Sequence, residues 1–273
     1  MSERLASMSE ALSSMSGELA EQAAAPTGLA CRDVHKSYSA AGGMVLQGVS
    51  LAIAERERVA LIGPNGSGKS TLLRSLIGLH AVDRGTVHVL GRELRHGSLD
   101  QDTRRQIGFV FQNHGLVMRL SALSNVIHGR LGFAGSWRAW HQAIAPSRWR
   151  EEAVEALEAV GLGHRAGARA DQLSGGQAQR VAIARALMRR PRLMIADEPA
   201  ASLDPKTGMD VMETFTSVAA ERGTTLVFTT HNMLHARRFA TRVVALRGGR
   251  IVLDERTANL GDADLERVFH HAQ

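Results

Sequence analysis

Residues 63–71 read Gly63-Pro64-Asn65-Gly66-Ser67-Gly68-Lys69-Ser70-Thr71, and this stretch predicts the fold. The apolar run Arg58 to Ile62 precedes it and is short enough to be a buried strand. After the stretch, apolar residues recur at the spacing of a helix, at Leu72, Leu73, Leu76 and Ile77. A glycine-rich loop between a strand and a helix brings backbone N–H groups and the positive helix end close to a phosphate. We therefore expect a nucleotide site, with Lys69 on the β/γ-phosphates and Ser70 on Mg²⁺; the alternative is a glycine turn without a ligand.

Length and composition limit the classes of protein open to this chain. At 273 residues, 44% of them hydrophobic, it can bury a sizeable core, and we expect one domain with an inserted subdomain. Its one cysteine, Cys31, cannot form an internal disulfide, which fits a reducing cytosol. No run approaches the roughly 20 apolar residues that span a bilayer, and the N-terminus lacks an apolar signal core. We therefore expect a chain that is neither exported nor membrane-spanning.

The formal net charge of +6 suits either of two anionic partners, nucleic acid or the inner face of a membrane. The alternative is a solvated basic surface. No basic run is interleaved with aromatic side chains in the way that a nucleic-acid platform requires, so we expect no nucleic-acid partner.

Composition also divides the chain into segments. Residues 1–28 are rich in Ala, Ser, Met and Glu and predict a disordered N-terminal tail; the alternative is a short amphipathic helix. Two strands, Leu29 to Tyr38 and Leu46 to Ile53, are predicted ahead of the glycine loop. Tyr38 at the end of the first strand suits stacking on an adenine face, or else is a half-buried strand aromatic.

From Asn113 to Asp171 the pattern changes to helices and loops, which predicts an inserted helical subdomain. All three tryptophans, Trp137, Trp140 and Trp149, lie in this stretch beside arginines. They form either a docking surface for a membrane partner or local core, and both interpretations remain open.

Two adjacent carboxylates follow a fully apolar run, Leu193 to Ala196, that is typical of a parallel buried strand. Successive strand residues point to opposite sides, so Asp197 can face Mg²⁺ through water while Glu198 faces the attacking water as general base. The next buried strand, Thr224 to Thr230, ends at His231, which can contact the γ-phosphate. Gln112 follows another apolar run and suits the Mg²⁺ or water shell through its carbonyl oxygen, or else faces solvent.

Small residues also stand at the start of another predicted helix, in the stretch Leu173-Ser174-Gly175-Gly176-Gln177. A helix start of this kind predicts another anion site. The glycine loop already holds the phosphates of one nucleotide, so this second site needs a phosphate from elsewhere. Two copies of the chain facing head to tail would supply it.

Taken in order, these motifs resemble the ATP-binding subunit family of ABC transporters over about Leu29 to Ala272. The resemblance is carried by the Walker A at Gly63 to Thr71, the Q-loop at Gln112, the signature Leu173 to Gln177, the Walker B through Asp197-Glu198, the D-loop Ala201 to Asp204 and the H-loop His231. It implies an α/β fold, a P-loop NTPase of ABC type, with a RecA-like core, an antiparallel β subdomain and an inserted helical subdomain. The implied domain covers residues 29–273, with the helical insert at about 113–190.

The same resemblance implies ATP and Mg²⁺ as cofactors and a homodimer in which two nucleotides are sandwiched. The Walker A of one subunit would face the signature of the other, so the implied nucleotide-binding residues include Ser174, Gly175, Gly176, Gln177 and Asp204. Tyr38 matches the adenine-stacking A-loop. The implied catalytic residues are Glu198, His231, Lys69 and Gln112, and the implied metal ligands are Ser70, Gln112 and Asp197.

A narrower resemblance is to the phosphonate-importer ATPase subfamily. It rests on the segments Gln112 to Val117, Arg119 to Ser121, Asn125-Val126, Gly129 to Gly132, Trp137-Arg138 and Asp197 to Pro205. It implies an ATP-hydrolysing subunit of a bacterial importer of phosphonates or related phosphorus oxyanions, working with integral-membrane permease subunits and a periplasmic or lipid-anchored solute-binding protein. The implied location is cytoplasmic and peripheral on the inner face of the membrane.

Other classes share the nucleotide motifs. An ATPase of another small-solute importer, and a soluble ABC ATPase in phosphonate breakdown, remain alternatives. A nucleic-acid-binding ABC protein usually carries paired ATPase domains or long coiled-coil insertions, and this chain has neither. A protein kinase is excluded, because the glycine loop of kinases lacks the Gly-Lys-Ser ending that this chain has at Gly68-Lys69-Ser70.

Overall fold

The computed structural model describes residues 27–38, 43–94, 97–261, 264, 267 and 268. The predicted N-terminal tail, residues 1–28, lies outside these residues apart from its last two, which begin the first strand. Within the described part of the chain, no helix is long and apolar enough to span a membrane.

The smaller of two sheets is antiparallel and has the strand order β2-β1-β4-β5. Its strands are β1 (Thr27–Ser37), β2 (Met44–Ala54), β4 (Arg84–Val89) and β5 (Arg92–Glu93). β2 alternates buried and exposed side chains, because one face packs on the core and the other meets solvent. The buried face joins this sheet to the second one in a shared apolar cluster that includes Leu29, Leu46 and Ile53.

The larger sheet has the order β10-β9-β3-β8-β7-β6 and is parallel from β9 to β6. Its strands are β3 (Arg58–Ile62), β6 (Ile107–Val110), β7 (Leu193–Ala196), β8 (Thr225–Thr229), β9 (Arg242–Arg247) and β10 (Arg250–Arg256), the last antiparallel to β9. β7 and β8 are buried along their whole length. Because these parallel strands run in the same direction, their carboxyl ends lie at the same edge of the sheet.

Seven α-helices have both of their ends within the described residues. They are α1 (Lys69–Leu76), α2 (Gln101–Arg105), α3 (Ala122–Ile127), α4 (Ser147–Ala159), α5 (Gly175–Leu187), α6 (Pro205–Glu221) and α7 (Met233–Phe239). Helices α3, α4 and α5 pack on one another and lie in sequence between β6 and β7. The α/β fold predicted from the sequence is confirmed.

A buried glutamate stabilises the packing of the helical segment. The carboxylate of Glu152 on α4 is paired with Arg130, with Arg148 at 3.1 Å and with Arg190 at 3.4 Å. Burial alone would raise the pKa of Glu152, but the hydrogen bonds and charges of these arginines outweigh it and hold the pKa below its usual value. Glu152 thereby links α4 to the residues that follow α3 and α5.

The three tryptophans divide between the two interpretations. Trp149 on α4 is half-buried and packs against the main apolar cluster. Trp137 and Trp140 lie on a 3₁₀ turn, Ser136–Trp140, and are 63% and 67% exposed. Only the latter two are therefore available for contact with a partner.

Candidate nucleotide site

The glycine-rich loop connects β3 to α1, as the spacing predicts. All three of its glycines have backbone angles that favour glycine, with φ of 145° at Gly63, 78° at Gly66 and 103° at Gly68. A Cβ on Gly63 would lie 2.1 Å from the carbonyl oxygen of Leu246 on β9, so the loop passes too close to that strand for a side chain. Packing against β9 therefore fixes the path of the loop.

Lys69 is the first residue of α1 and is only 6% exposed. Its Nζ donates to the carbonyl oxygens of Gly63, at 2.8 Å, and Pro64, at 3.1 Å. Burial lowers the pKa of Lys69, and the negative charges of Glu198 and Asp197 partly oppose this effect. The ammonium thus lies inside its own loop, next to two carboxylates.

The loop also holds a buried polar atom that no protein group satisfies. The side-chain oxygen of Ser67 is inaccessible to solvent and has no hydrogen-bond partner among the described residues. An unsatisfied buried hydroxyl costs free energy unless a ligand supplies the partner. Together with the glycine backbone and Lys69, this atom fits a loop built around a polyphosphate.

Asp197 follows β7 and is 3% exposed. Its Oδ1 accepts hydrogen bonds from Ser70 Oγ at 2.8 Å and from Thr229 Oγ1 at 2.9 Å. Its Oδ2 accepts from Nη2 of Arg74 at 3.3 Å. Hydroxyl and carboxylate oxygens are the ligands that Mg²⁺ prefers, so the Ser70–Asp197 pair fits this ion.

Glu198 continues from Asp197 in a left-handed conformation, with φ of 49°. Its N–H donates to Thr229 Oγ1 at 2.8 Å, and its Oε2 lies 3.5 Å from Nδ1 of His231. The two side chains line a cavity of about 200 Å³, shared with Asp204 and His235. The carboxylate and the imidazole therefore face one space at the carboxyl ends of β7 and β8.

Tyr38 lies beside the glycine loop, as an adenine-stacking residue requires. Its hydroxyl is 3.3 Å from Thr71 Oγ1, and its ring meets that of His80 edge-on at 5.7 Å. The side chain is 57% exposed, so most of it remains accessible to a ligand.

Other predicted residues are not brought into contact with the loop. Gln112 is exposed, two residues after the end of β6. Ser174 and Gln177 form a capping box at the start of α5, with hydrogen bonds of 3.3 and 3.0 Å. Asp204 caps α6, its Oδ1 accepting from Thr207 N–H at 3.0 Å. Within the residues that the structure describes, no hydrogen bond or ion pair joins any of the four to the glycine loop.

Two residues that contact Asp197 were not predicted. Arg74 lies one helical turn after Ser70, on the same face of α1, and this i, i+4 spacing is a signal in the sequence. Thr229 is a polar residue at the end of β8, directly after the apolar run Leu226 to Phe228. It donates to Asp197 and accepts from the backbone of Glu198, so one hydroxyl orients both acidic residues.

This site combines the features that define a P-loop nucleoside triphosphatase. They are a glycine-rich phosphate-binding loop, a buried lysine and a pair of carboxylates at the end of a strand in a parallel sheet. Residues 46–201 match the family model described as ABC transporter. The chain therefore belongs to the ABC transporter family, as one of its ATP-binding, ATP-hydrolysing subunits.

Curated relatives agree with this assignment over most of their length. A phosphonates import ATP-binding protein PhnC from Stutzerimonas stutzeri is 47% identical over 236 residues, 84% of this chain and 85% of that protein. One of the same name from Nitratidesulfovibrio vulgaris is 41% identical over 230 residues, covering 84% of this chain and 86% of the relative.

Solved structures give the same fold. A dimeric structure of the ATP-binding cassette MJ0796 in a post-hydrolysis state with ADP and Pi is 36% identical, with a TM-score of 0.71 over 85% of this chain and all of that one. The ADP conformation of the cassette MJ1267 is 26% identical, with a TM-score of 0.77 over 89% of this chain and 98% of the other.

Proposed function

We propose that this chain is the ATPase subunit of an importer of phosphonates or related phosphorus oxyanions. The observation that carries the cargo assignment is the 47% identity to a phosphonates import ATP-binding protein over 84% of the chain. The arrangement of Lys69, Asp197 and Glu198 supports the ATPase half of the proposal independently of the cargo.

The glycine loop, residues 63–71, would hold ATP, with Tyr38 against the adenine. The ammonium of Lys69 is poised for phosphate, because its hydrogen bonds within the described residues go to two loop carbonyls, which it can exchange for phosphate oxygens. Ser70, Asp197 and Gln112 would hold Mg²⁺. ATP supplies the phosphoanhydride bond, and Mg²⁺ offsets the charge on its phosphates.

Glu198 is the proposed general base, since its carboxylate faces the shared cavity and its backbone is fixed by Thr229. His231, 3.5 Å from that carboxylate, would orient the water and contact the γ-phosphate. Gln112 would complete the catalytic set from the end of β6.

We further propose that two copies form an ATP sandwich. Ser174 and Gly175 are exposed at the start of α5, where they are available to a facing subunit, and Gln177 is half-buried. Gly176 is buried and lies with them in the signature, and Asp204 would approach from the D-loop. In this assembly residues 29–273 form the ATPase domain, with about 113–190 as its helical insert.

The remaining partners follow from importer architecture. Integral-membrane permease subunits would hold the dimer on the inner face of the cell membrane, and a periplasmic or lipid-anchored solute-binding protein would deliver the cargo. No nucleic acid is required by any part of the proposal.

Growth on methylphosphonate as sole phosphorus source tests the cargo. A cell carrying only Glu198→Gln should fail on methylphosphonate and grow normally on phosphate. Uptake of labelled methylphosphonate should fall in the same cell, which separates import from intracellular breakdown. Equal growth on both sources, in a strain with no second importer, would contradict phosphonate import and leave the ATPase assignment standing.

A further inference from the structure

Side chains from two other parts of the chain contact Tyr38, the residue proposed for the adenine. The Tyr38 hydroxyl lies 3.3 Å from Thr71 Oγ1, and the ring of His80 meets the tyrosine ring edge-on at 5.7 Å. From the same strand end, the ammonium of Lys36 lies over one face of the tyrosine ring, 5.9 Å from its centroid. A cation within about 6 Å of a ring face is attracted by the electrons of the ring. A base would then stack on the opposite face.

Asp83 is the residue directly before β4, and its carboxylate holds the two residues that precede Tyr38. Its Oδ1 accepts a hydrogen bond from Lys36 Nζ at 2.8 Å, and its Oδ2 accepts one from the Ser37 N–H at 2.6 Å. The N–H of Asp83 in turn donates to the carbonyl oxygen of His35 at 2.9 Å. One residue thereby fixes both the backbone ahead of Tyr38 and the cation over its ring.

These hydrogen bonds begin where the pairing of β1 with β4 ends. The last paired residues of the two strands are His35 and Arg84. Lys36 and Ser37 pair with β2, on the other side of β1. Asp83 therefore holds the end of β1 from the β4 side, beyond the last pair of the ladder.

The charges of Asp83 and Lys36 make this contact stronger than an ordinary hydrogen bond. The hydrogen bond from Lys36 and, next in size, the one from Ser37 lower the pKa of Asp83, so its carboxylate is ionised at neutral pH. Hydrogen bonds between two ionised groups are stronger than those between neutral groups. The Lys36 side chain is only 15% exposed, and an ammonium in such a place is costly without a paired carboxylate.

We propose that Asp83 is a positioning residue for the adenine of ATP and acts through Tyr38. The inference rests on the role proposed for Tyr38 and adds a residue that affects the base only through that ring. Stacking needs the ring at one place and one angle, and a ring on a mobile strand end loses part of the binding free energy when the base orders it. Asp83 orders the strand end before the base arrives. Its effect should therefore be confined to the base and leave the phosphates unaffected.

The test is calorimetric titration of the purified full-length chain with ATP and, separately, with inorganic tripolyphosphate, which has no base, both in the presence of Mg²⁺. Tyr38→Ala should weaken ATP binding about tenfold, the usual scale of stacking between a base and an aromatic ring. Asp83→Ala should weaken ATP binding at least about threefold, since the ring remains but is less ordered. Tripolyphosphate should bind both variants as it binds the unaltered chain, because the glycine loop is intact.

A double variant shows whether Asp83 acts through the ring. Asp83→Ala added to Tyr38→Ala should bind ATP as weakly as Tyr38→Ala alone, because two changes that remove one interaction are not additive. Asp100→Ala is the matched control, since Asp100 likewise accepts one backbone and one side-chain hydrogen bond, both from Thr103. This control should bind ATP normally.

Normal ATP binding by Asp83→Ala would overturn the proposal, and so would additive losses in the double variant. Equal weakening of ATP and tripolyphosphate binding would also overturn it, because that result indicates a general loss of structure. Normal ATP binding by Tyr38→Ala would overturn both this proposal and the role of Tyr38 in stacking. None of these outcomes bears on the cargo, which the growth experiment tests separately.

Discussion

Ser70 Oγ donates a 2.8 Å hydrogen bond to Oδ1 of Asp197, although the two residues lie 127 positions apart in sequence. The contact joins the first turn of α1 to the end of β7, so two proposed metal ligands already touch. Thr229 and Arg74 hold the same carboxylate from two further elements. We therefore expect Mg²⁺ to replace one hydrogen bond, that of Ser70, while the other two keep Asp197 in place.

Replacing Thr229 by valine tests this arrangement. Valine keeps the shape but leaves Asp197 without one donor and the Glu198 N–H without its acceptor. We expect the free energy of unfolding to fall by about 1–3 kcal/mol and ATP turnover to fall about tenfold or more. Urea unfolding and ATPase assays measure the two effects. Thr229→Ser, which retains the hydroxyl, is the control; equal behaviour of the two variants would refute the shared role.

Replacing Glu198 by glutamine removes a base while keeping the side-chain volume. ATP binding should persist, while hydrolysis in the assembled complex should fall by about 10²–10⁴-fold, the usual contribution of a general base. Equilibrium nucleotide binding and phosphate release report the two quantities. The exposed Glu213→Gln serves as a charge-matched control and should hydrolyse ATP normally. Vigorous ATP turnover by the Glu198→Gln variant would show that Glu198 is not the general base.

Gly63→Ala should destabilise the fold by about 3 kcal/mol or more, because overpacking and backbone strain add at this position. The new Cβ would meet the Leu246 carbonyl oxygen at 2.1 Å, with φ at 145°. Chemical denaturation measures the loss. Gly167→Ala is the control, since a Cβ there has nothing within 4 Å and the residue is exposed. Similar unfolding midpoints for the two variants would show that the close approach to β9 is not a constraint.

Local sequence patterns predicted those parts of the site that each lie within a single stretch of the chain. The strand, glycine loop and helix around Lys69 follow from spacing alone, and the strand end at Asp197 follows from an apolar run before two acids. The i, i+4 spacing places Arg74 on the same helix face as Ser70, but its contact with Asp197 also depends on how α1 is rotated against β7, which no local pattern encodes. In the larger sheet, β3 lies between β8 and β9, two strands that follow it by more than 150 residues in the chain. Such long-range strand pairing is not encoded in any local pattern.

Other predictions stay open because their partners lie outside the chain. Ser174 and Gln177 bond to each other at the start of α5, and the proposed phosphate partner belongs to a second copy. For the tryptophans, composition could not separate core from surface. Packing of α4 buries part of Trp149, whereas the short turn around Ala139 leaves Trp137 and Trp140 exposed.

Cys31 predicts a loss of stability at high pH. Burial raises the pKa of its thiol from 9.0 to about 12, although a backbone hydrogen bond opposes the rise. Above pH 9 the unfolded chain loses this proton while the folded chain keeps it, so the unfolded state is favoured as the pH rises towards 12. At pH 10 the thiol should cost the fold about 1 kcal/mol relative to pH 7. Because other groups titrate in both chains alike, the unfolding free energy of the unaltered chain minus that of Cys31→Ala should fall by this amount between the two pH values. Urea denaturation of both chains measures it, and a difference that stays constant with pH would show that Cys31 ionises equally in the folded and unfolded states.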